Sequence, residues 1–342
     1  MTPLSYVRAA SAGDAIRLAG AAGHRLLGGG TNLVDLMKED VERPATVVDI
    51  TRLPLDRIEE LADGGVRLGA LATNADTASH ALVRTRYPLL SSAILAGASP
   101  QLRNAATNGG NPNQRTRCYY FYDTAAKCNK REPGSGCSAI GGVTRIHAIL
   151  GASEHCIATH PSDMCVALLA LDATVQVSGP GGNRSIPFSQ YHRLPDDEPW
   201  RDNTLLQGEL VTAIDLPATD FGAHHSYLKL RDRLSYAFAL VSVAAAIKFD
   251  KAGRVEDARI ALGGVAHKPW RVSAAEDMLK GCAPSEALHQ QVASRILEGA
   301  IGQGGNDFKI ELARRTICRA LQQAASGMPQ SQTDKRIVWG TA

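Results

Sequence analysis

Two groups of residues in this chain have types and spacings that could do chemistry. The first is a pair of glycine loops. Leu26-Leu27-Gly28-Gly29-Gly30-Thr31-Asn32-Leu33 stands between a short apolar strand pattern and a short helical one. Backbone without side chains can curl there and aim several N–H groups at one anion, with the Thr31 hydroxyl adding a hydrogen bond. That is the form of a pyrophosphate cradle. The loop fits neither G-x-G-x-x-G in a strand–helix–strand unit nor the phosphate loop that needs a lysine after its last glycine. Read alone it is equally a plain tight turn. The second loop, Ala105-Ala106-Thr107-Asn108-Gly109-Gly110-Asn111, matters because a dinucleotide phosphate gripped from two sides needs two such loops in one fold. Gly28 to Asn32, Gly110 and Asn111 are the expected backbone donors, and Thr31 and Thr107 the expected hydroxyls. A side chain at Gly29 is expected to stand where the phosphate approaches.

The second group is sulfur. The chain has seven cysteines, an odd number that argues against a pure disulfide scaffold. Cys118, Cys128, Cys137 and Cys156 share one stretch, whereas Cys165, Cys282 and Cys318 stand alone in apolar or helical surroundings and read as ordinary core thiols. Nine, eight and eighteen residues separate the first four. Structural zinc favours close Cys pairs, and plant-type two-iron clusters use a tighter run, so neither pattern fits. Four thiolates delivered from an irregular loop suit a cubane, in which each iron takes one thiolate. Zinc and a metal-free loop stay open on spacing alone.

Short elements must position these groups. Ser11 with Asp14 can cap a helix through Ala22, Arg25 to Leu27 reads as strand, Leu33 to Lys38 as helix, and Thr46–Ile50 and Val66–Leu71 as strands. A helix over Pro88–Ala96 precedes the second glycine loop. From Asn111 to about Cys156 apolar periodicity disappears, so that segment shows no core of its own and something other than packing must order it. Regular structure resumes with a helix over Asp163–Leu171, strand Thr174–Val177 and a turn at Ser178–Gly182. Arg193–Asn203, rich in Pro and Asp, reads as a surface loop or linker. Strands near Glu209–Leu216, Tyr227–Lys229, Leu240–Phe249 and Arg259–Leu262 then lead to helices near Pro284–Glu298 and Phe308–Ala325. The pattern is α+β, without the long regular helices of a doubly wound sheet.

Bulk composition excludes several classes. With 342 residues, 44% of them hydrophobic and 21% charged, the chain can bury a large core. A net charge of +3 from 37 basic and 34 acidic residues is far from a nucleic-acid footprint, and no apolar run is long enough for membrane insertion. The opening Met1-Thr2-Pro3-Leu4-Ser5-Tyr6 has neither a basic nor an apolar region of an export signal. His155, His160 and the pair His224-His225 have no catalytic partner in sequence and read as structural.

Gly28-Gly29-Gly30-Thr31-Asn32-Leu33, the strand end Leu68-Gly69-Ala70 with Thr73, Ala106-Thr107-Asn108-Gly109-Gly110-Asn111 and Pro161-Ser162-Asp163 together resemble the FAD domain of the xanthine dehydrogenase and aldehyde oxidoreductase family. Lys229-Leu230-Arg231-Asp232-Arg233 followed by Tyr236-Ala237-Phe238-Ala239-Leu240 resembles the same family's C-terminal flavoprotein domain. The resemblance runs in order over essentially the whole chain. It implies an FAD-binding domain of the PCMH type, made of two α+β subdomains, over 1–223, interrupted by an insertion at 112–156. A small C-terminal α+β domain over 224–330 and a tail at 331–342 complete the expected plan.

The same resemblance implies roles. Leu26, Leu27, Ala70, Thr73, Ala106 and Thr159 join the glycine loops in the FAD site; Asp163 accepts from ribityl or ribose hydroxyls, or else caps a helix. Lys229 lies near the pyrimidine edge of the flavin, and Tyr236 packs over or gates the ring. Some flavin subunits of the family, including periplasmic-type aldehyde oxidoreductases and 4-hydroxybenzoyl-CoA reductases, carry a [4Fe–4S] cluster in an insertion at this place. Arg115-Thr116-Arg117-Cys118-Tyr119-Tyr120-Phe121-Tyr122-Asp123, Cys128-Asn129-Lys130-Arg131 and Pro133-Gly134-Ser135-Gly136-Cys137 resemble the aldehyde oxidoreductase version. Cys118, Cys128, Cys137 and Cys156 are then the cluster ligands, with Arg115, Arg117, Lys127, Lys130 and Arg131 offsetting its charge. A molybdopterin-binding large subunit, a small subunit with two-iron clusters and an external electron acceptor are the implied partners. Electrons from substrate oxidised at a partner's molybdenum are expected to reach FAD through iron–sulfur centres. The periplasm, by co-export with a signal-bearing partner, is the favoured compartment, and the cytoplasm the alternative. Two other readings are a free-standing FAD reductase or oxidase, which leaves the cysteines without a role, and a non-enzymatic metal-stabilised interaction module.

Overall fold

The computed structural model describes residues 2–332, so the expected tail at 331–342 lies, apart from Ser331 and Gln332, outside the described residues. The chain opens with β1 (Ser5–Arg8), α1 (Ala12–Ala19), β2 (His24–Leu27), α2 (Leu33–Lys38) and β3 (Thr46–Asp49). Ser11 caps α1 by accepting from the Asp14 N–H. The helix stops at Ala19, short of the expected Ala22, where the chain turns through Gly20 and a left-handed Gly23 with φ of 74°. The three strands pair in parallel in the order β1-β3-β2. Ala9, Ala15, Val48, Ile50 and Leu53 form the small core beneath them.

A second sheet is antiparallel. β4 (Ile58–Glu60) and β5 (Val66–Gly69) lead into α3 (Asn74–Ser79), α4 (Ala81–Arg86), α5 (Pro88–Ala96) and α6 (Pro100–Arg103). After the cysteine segment, which holds only α7 (Tyr119–Tyr122) as regular structure, come α8 (Asp163–Ala170), β6 (Thr174–Gly179), β7 (Gly182–Pro187), α9 (Phe188–Tyr191) and β8 (Leu210–Leu216). The strand order is β4-β5-β8-β6-β7. The expected turn at Ser178–Gly182 is the tip of the β6–β7 hairpin, where Gly179 pairs with a left-handed Gly182. β1 and β7 are missing from the sequence reading because their residues are almost all exposed, so no apolar alternation marks them.

The third sheet is β9 (His225–Leu230), β10 (Val241–Phe249), β11 (Val255–Gly263) and the short β12 (Trp270–Arg271), antiparallel in the order β12-β11-β10-β9, followed by α10 (Ser273–Asp277), α11 (Glu286–Ile296) and α12 (Phe308–Ser326). β10 is buried on both faces, which is why Val241-Ser242-Val243-Ala244-Ala245-Ala246-Ile247 reads as a continuous apolar run. Val243, Ala245 and Ile247 face the core shared with α11 and α12. Ala244 and Ala246 face the other way, into the core of α5, α8 and the second sheet. The architecture is α+β, and the two antiparallel sheets share α5 and α8 between them.

Two expectations need correction. The segment from 112 to 156 is not coreless: Cys118, Phe121, Cys128, Ala139 and Cys156 pack with Leu36, Ile157 and Ala158 in a small cluster. Three of its buried members are cysteines, which hydropathy periodicity does not reveal. The 193–203 stretch is also no free linker. His192 bridges to Asn203, and Asp202 pairs with Lys130 and Arg115 of the cysteine segment.

Because α5 and α8 sit close over Ala244 and Ala246, a larger side chain there has no room. Ala246→Leu should destabilise the chain by about 1–3 kcal/mol, read as a lower denaturant midpoint, while Lys248→Leu at the half-exposed end of β10 should change it little. Equal stability of the two variants would contradict the two-faced packing.

Candidate functional site

The two glycine loops meet at one end of a cavity of about 1120 Å³. Leu26, Leu27, Gly28, Gly29, Gly30, Thr31, Asn32 and Leu33 line it from the first loop, and Ala106, Thr107, Gly110 and Asn111 from the second. The loops differ in what their amides do. In the second loop the N–H groups are spent internally: Asn108 donates to Ala72 O, Gly109 to Ala70 O, Gly110 to Thr107 Oγ1 and Asn111 to Thr107 O. In the first loop the N–H groups of Gly29 to Asn32 meet no acceptor among the described residues. Anion binding by backbone therefore falls to the first loop, and the expectation that Gly110 and Asn111 donate to the same phosphate is corrected. The second loop offers the Thr107 side chain and a rigid wall.

Gly29 is also corrected. A Cβ there would sit 1.7 Å from Ala105 O, so this glycine is required by the contact between the two loops rather than by ligand approach. Gly30 has φ of 72°, the left-handed region that glycine adopts without strain. Ala70, Thr73 and Thr159 do not line the cavity. Ala70 supports Gly109 from below, Thr73 caps α3 and bridges to Thr107, and Thr159 Oγ1 donates to Ile146 O.

Asp163 and Lys229 both line the cavity and are paired with each other. Lys229 Nζ donates to Asp163 Oδ2 at 2.7 Å and to Ala96 O at 3.2 Å, and Tyr227 OH donates to Asp163 Oδ1 at 2.7 Å. The helix cap at this point is Ser162, which accepts from the Cys165 N–H; Asp163 is the first helical residue. Tyr236 lies at the mouth, 59% exposed, with a strained φ of 50°. Its loop is held from the cysteine segment: Arg117 stacks over Phe238 at 5.0 Å and Arg145 pairs with Asp232 at 2.6 Å. Arg117, Tyr119 and Tyr122 line the cavity too, so the inserted segment forms one of its walls.

Cys118, Cys128, Cys137 and Cys156 line a second, much smaller cavity formed largely by the same inserted segment. Among the described residues no three of these sulfurs lie within 4.8 Å of one another. Burial pushes the Cys118 thiol up to about 12 and the Cys156 thiol up to about 11, so an electrophile must displace their protons. The basic residues expected to offset charge are mostly committed elsewhere. Arg115 is held by Glu42 and Asp202, Lys130 by Asp202 and Pro199 O, and Arg131 by the carbonyls of Tyr120, Phe121 and Ala126. Lys127 does line the cavity. His147, which sequence reading passed over, brings Nε2 to 3.1 Å from Cys118 Sγ. Of the three expected core thiols, Cys165 is fully buried beside His160 and His192 and Cys318 is half-buried against the C-terminal core, but Cys282 is exposed, which corrects the expectation for it.

Comparison with known proteins places this geometry. Residues 2–219 match the FAD binding domain in molybdopterin dehydrogenase, and residues 225–324 match the CO dehydrogenase flavoprotein C-terminal domain. The chain belongs to the FAD-binding subunits of the molybdopterin dehydrogenase family. It is 51% identical over 303 residues to the aldehyde oxidoreductase FAD-binding subunit PaoB of Escherichia coli, covering 88% of this chain and 92% of that one. The glyceraldehyde dehydrogenase medium chain of Sulfolobus acidocaldarius is 31% identical over 293 residues, 85% of this chain and 86% of its own. Among solved structures, carbon monoxide dehydrogenase from Hydrogenophaga pseudoflava superposes with a TM-score of 0.74 at 26% identity, over 96% of this chain and 99% of its own.

In this FAD-binding subunit the residues that fit the cofactor are therefore the first-loop amides, with Thr107 and the Asp163–Lys229 pair further along the cavity. Asn74, Arg103 and Asn113 also line it and carried no signal in sequence, because none belongs to a glycine-rich run. Gly29→Ala should lower both the thermal midpoint and the FAD content, since it separates the loops. FAD loss at an unchanged midpoint of the apoprotein would show that the contact with Ala105 is not what the glycine serves. Lys229→Met should cost about 3–5 kcal/mol by leaving the Asp163 carboxylate buried and unpaired, and Asp163→Asn in the same chain should recover much of it. A denaturant double-mutant cycle without coupling would contradict the pairing.

Proposed function

We propose that this chain is the flavin and iron–sulfur subunit of a molybdenum-containing aldehyde oxidoreductase. It would hold one FAD in the large cavity and one [4Fe–4S] cluster on Cys118, Cys128, Cys137 and Cys156, working with a molybdopterin-binding large subunit and a small subunit carrying two-iron clusters. The observation that carries the reading is the convergence of four cysteines, spread over 39 residues of sequence from 118 to 156, on one small cavity. A single zinc ion with Zn–S bonds of about 2.3 Å brings its thiolates to roughly 3.8 Å from one another. No three of these sulfurs come within 4.8 Å of one another among the described residues, which does not match a single zinc, and a cubane takes one thiolate per iron. Identity of 51% over 303 residues to an aldehyde oxidoreductase subunit supports the substrate class.

When bound, FAD and the cluster supply two-electron and one-electron carriage between partner iron–sulfur centres and an external acceptor. This chain's residues place them. The first-loop amides hold the pyrophosphate, Asp163 and Lys229 present hydrogen-bonding groups along the cavity, and Tyr236 and Phe238 restrict solvent at its mouth. Arg117, one residue before a cysteine ligand and on the flavin cavity wall, keeps the two cofactors adjacent. The free-standing oxidoreductase reading leaves the sulfur cavity without a use.

Iron and acid-labile sulfide per flavin, measured on the complex purified without air, test this. Four irons per FAD are expected, lost or altered on Ser substitution of Cys118, Cys128, Cys137 or Cys156 and unaffected by Cys165→Ser, Cys282→Ser or Cys318→Ser. Zinc in place of iron, or a cluster that depends on Cys165, would overturn the assignment.

A further inference from the structure

We propose that His147 is the residue through which this chain sets the reduction potential of the cluster, by donating its Nε2–H to the sulfur of Cys118. The inference rests on the assignment of Cys118 as a cluster ligand. Nε2 stands 3.1 Å from Sγ, and both side chains are almost wholly buried, His147 1% and Cys118 7% exposed. A sulfur bound to iron has lost its proton and can only accept, so the imidazole must be the donor. In a dry site such a bond keeps its strength. It withdraws electron density from the thiolate, stabilises the more negative reduced cluster over the oxidised one, and raises the potential. Among the described residues His147 is the only side chain hydrogen-bonded to any of the four sulfurs; the Ala158 N–H to Cys156 Sγ, at 3.5 Å, is a backbone contact. Arg115 and Lys130 are paired to Glu42 and Asp202, so their charge is largely compensated.

The C-terminal part of the chain holds the backbone of His147 in place. His147 O accepts from Asn306 Nδ2 at 2.9 Å and from Lys309 Nζ at 2.7 Å, and its N–H donates to Thr144 O at 2.9 Å. Thr144 Oγ1 in turn donates to Gln303 O. Tyr119 and Tyr120 flank the ring, with centroids 6.5 and 6.3 Å away. Lys309 is fully buried and meets only carbonyls, those of His147 and Gly264. A buried ammonium without a carboxylate is costly. Here it fixes the backbone that carries the imidazole, so Lys309 and Asn306 are positioning residues.

The test is an EPR-monitored redox titration of the cluster in the assembled complex, with iron and flavin counted in each variant. His147→Phe keeps a ring and removes the donor. The reduced-to-oxidised ratio at a fixed poise should fall about tenfold, a drop of 59 mV for a one-electron couple, with four irons per flavin retained. His147→Gln keeps an N–H and should lie between. An unchanged potential in His147→Phe at full iron content overturns the proposal. Should that variant lose its iron, pulsed EPR of the reduced unmutated protein labelled with nitrogen-15 histidine decides the matter. A weak coupling from a hydrogen-bonded nitrogen supports the proposal, whereas no coupling, or the strong coupling of a nitrogen bound to iron, overturns it. Unmutated protein with flavin but no cluster signal refutes the ligand assignment itself, an outcome distinct from either.

Discussion

Helices α5 and α8 are packed between two antiparallel sheets, and this sharing is the constraint on which the rest of the molecule depends. It is possible only because β10 puts Ala244 and Ala246 on one face and Val243, Ala245 and Ile247 on the other, so that both sides of a single strand can be buried. Larger residues on the alanine face would hold the helices off. The cavity opens where the ends of these helices meet the sheets. Ala96 at the end of α5, Asp163 at the start of α8 and Lys229 on β9 are tied to one another there by the buried ion pair and its carbonyl contact. A pair so thoroughly desolvated adds little net stability, but neither charge tolerates losing the other. The ligand cavity and the junction between the two matched family regions are thus one set of contacts.

The inserted cysteine segment is ordered by a second polar hub. Asp202 lies far away in sequence yet draws Lys130 and Arg115 together, and Arg115 also reaches Glu42 beside the first subdomain. Burial opposes ionisation of Asp202, but Lys130 and Arg115 more than offset it and hold its carboxyl well below the usual range. Arg131 closes the α7 turn onto its own carbonyls. These bonds give the segment a defined shape on a very small apolar core. Through Arg117, Tyr119 and Tyr122 the segment forms one wall of the large cavity, so the cysteine cavity adjoins it.

Several features were legible in the amino-acid sequence because they are local. The spans of α2 and α5 follow from short-range apolar spacing and end signals, and β10 from an unbroken apolar run. The first glycine loop stands out as a run of three glycines, of which Gly30 takes the left-handed conformation that glycine adopts without strain. The grouping of Cys118, Cys128, Cys137 and Cys156 is visible in their neighbourhood on the chain, as is the isolation of the other three.

What only the tertiary structure decided is pairing. Whether an amide in a glycine loop is free or already spent depends on acceptors such as Ala70 O and Ala72 O, which the loop meets only after β5 and α3 have packed against it. Gly29 looked like a ligand contact and is a contact with Ala105, since sequence cannot report how closely two backbones approach. Asp163 and Lys229, 66 residues apart, neutralise each other, and Arg115 and Lys130 in the cysteine segment are neutralised by Glu42 and Asp202. His147 had no sequence partner at all, because its neighbour Cys118 lies on a separate turn and its anchors, Asn306 and Lys309, come from the far end of the chain. Composition and spacing specify which groups exist; the long-range closure of the chain determines which of them meet, and so which charges and hydrogen-bond donors remain free to act.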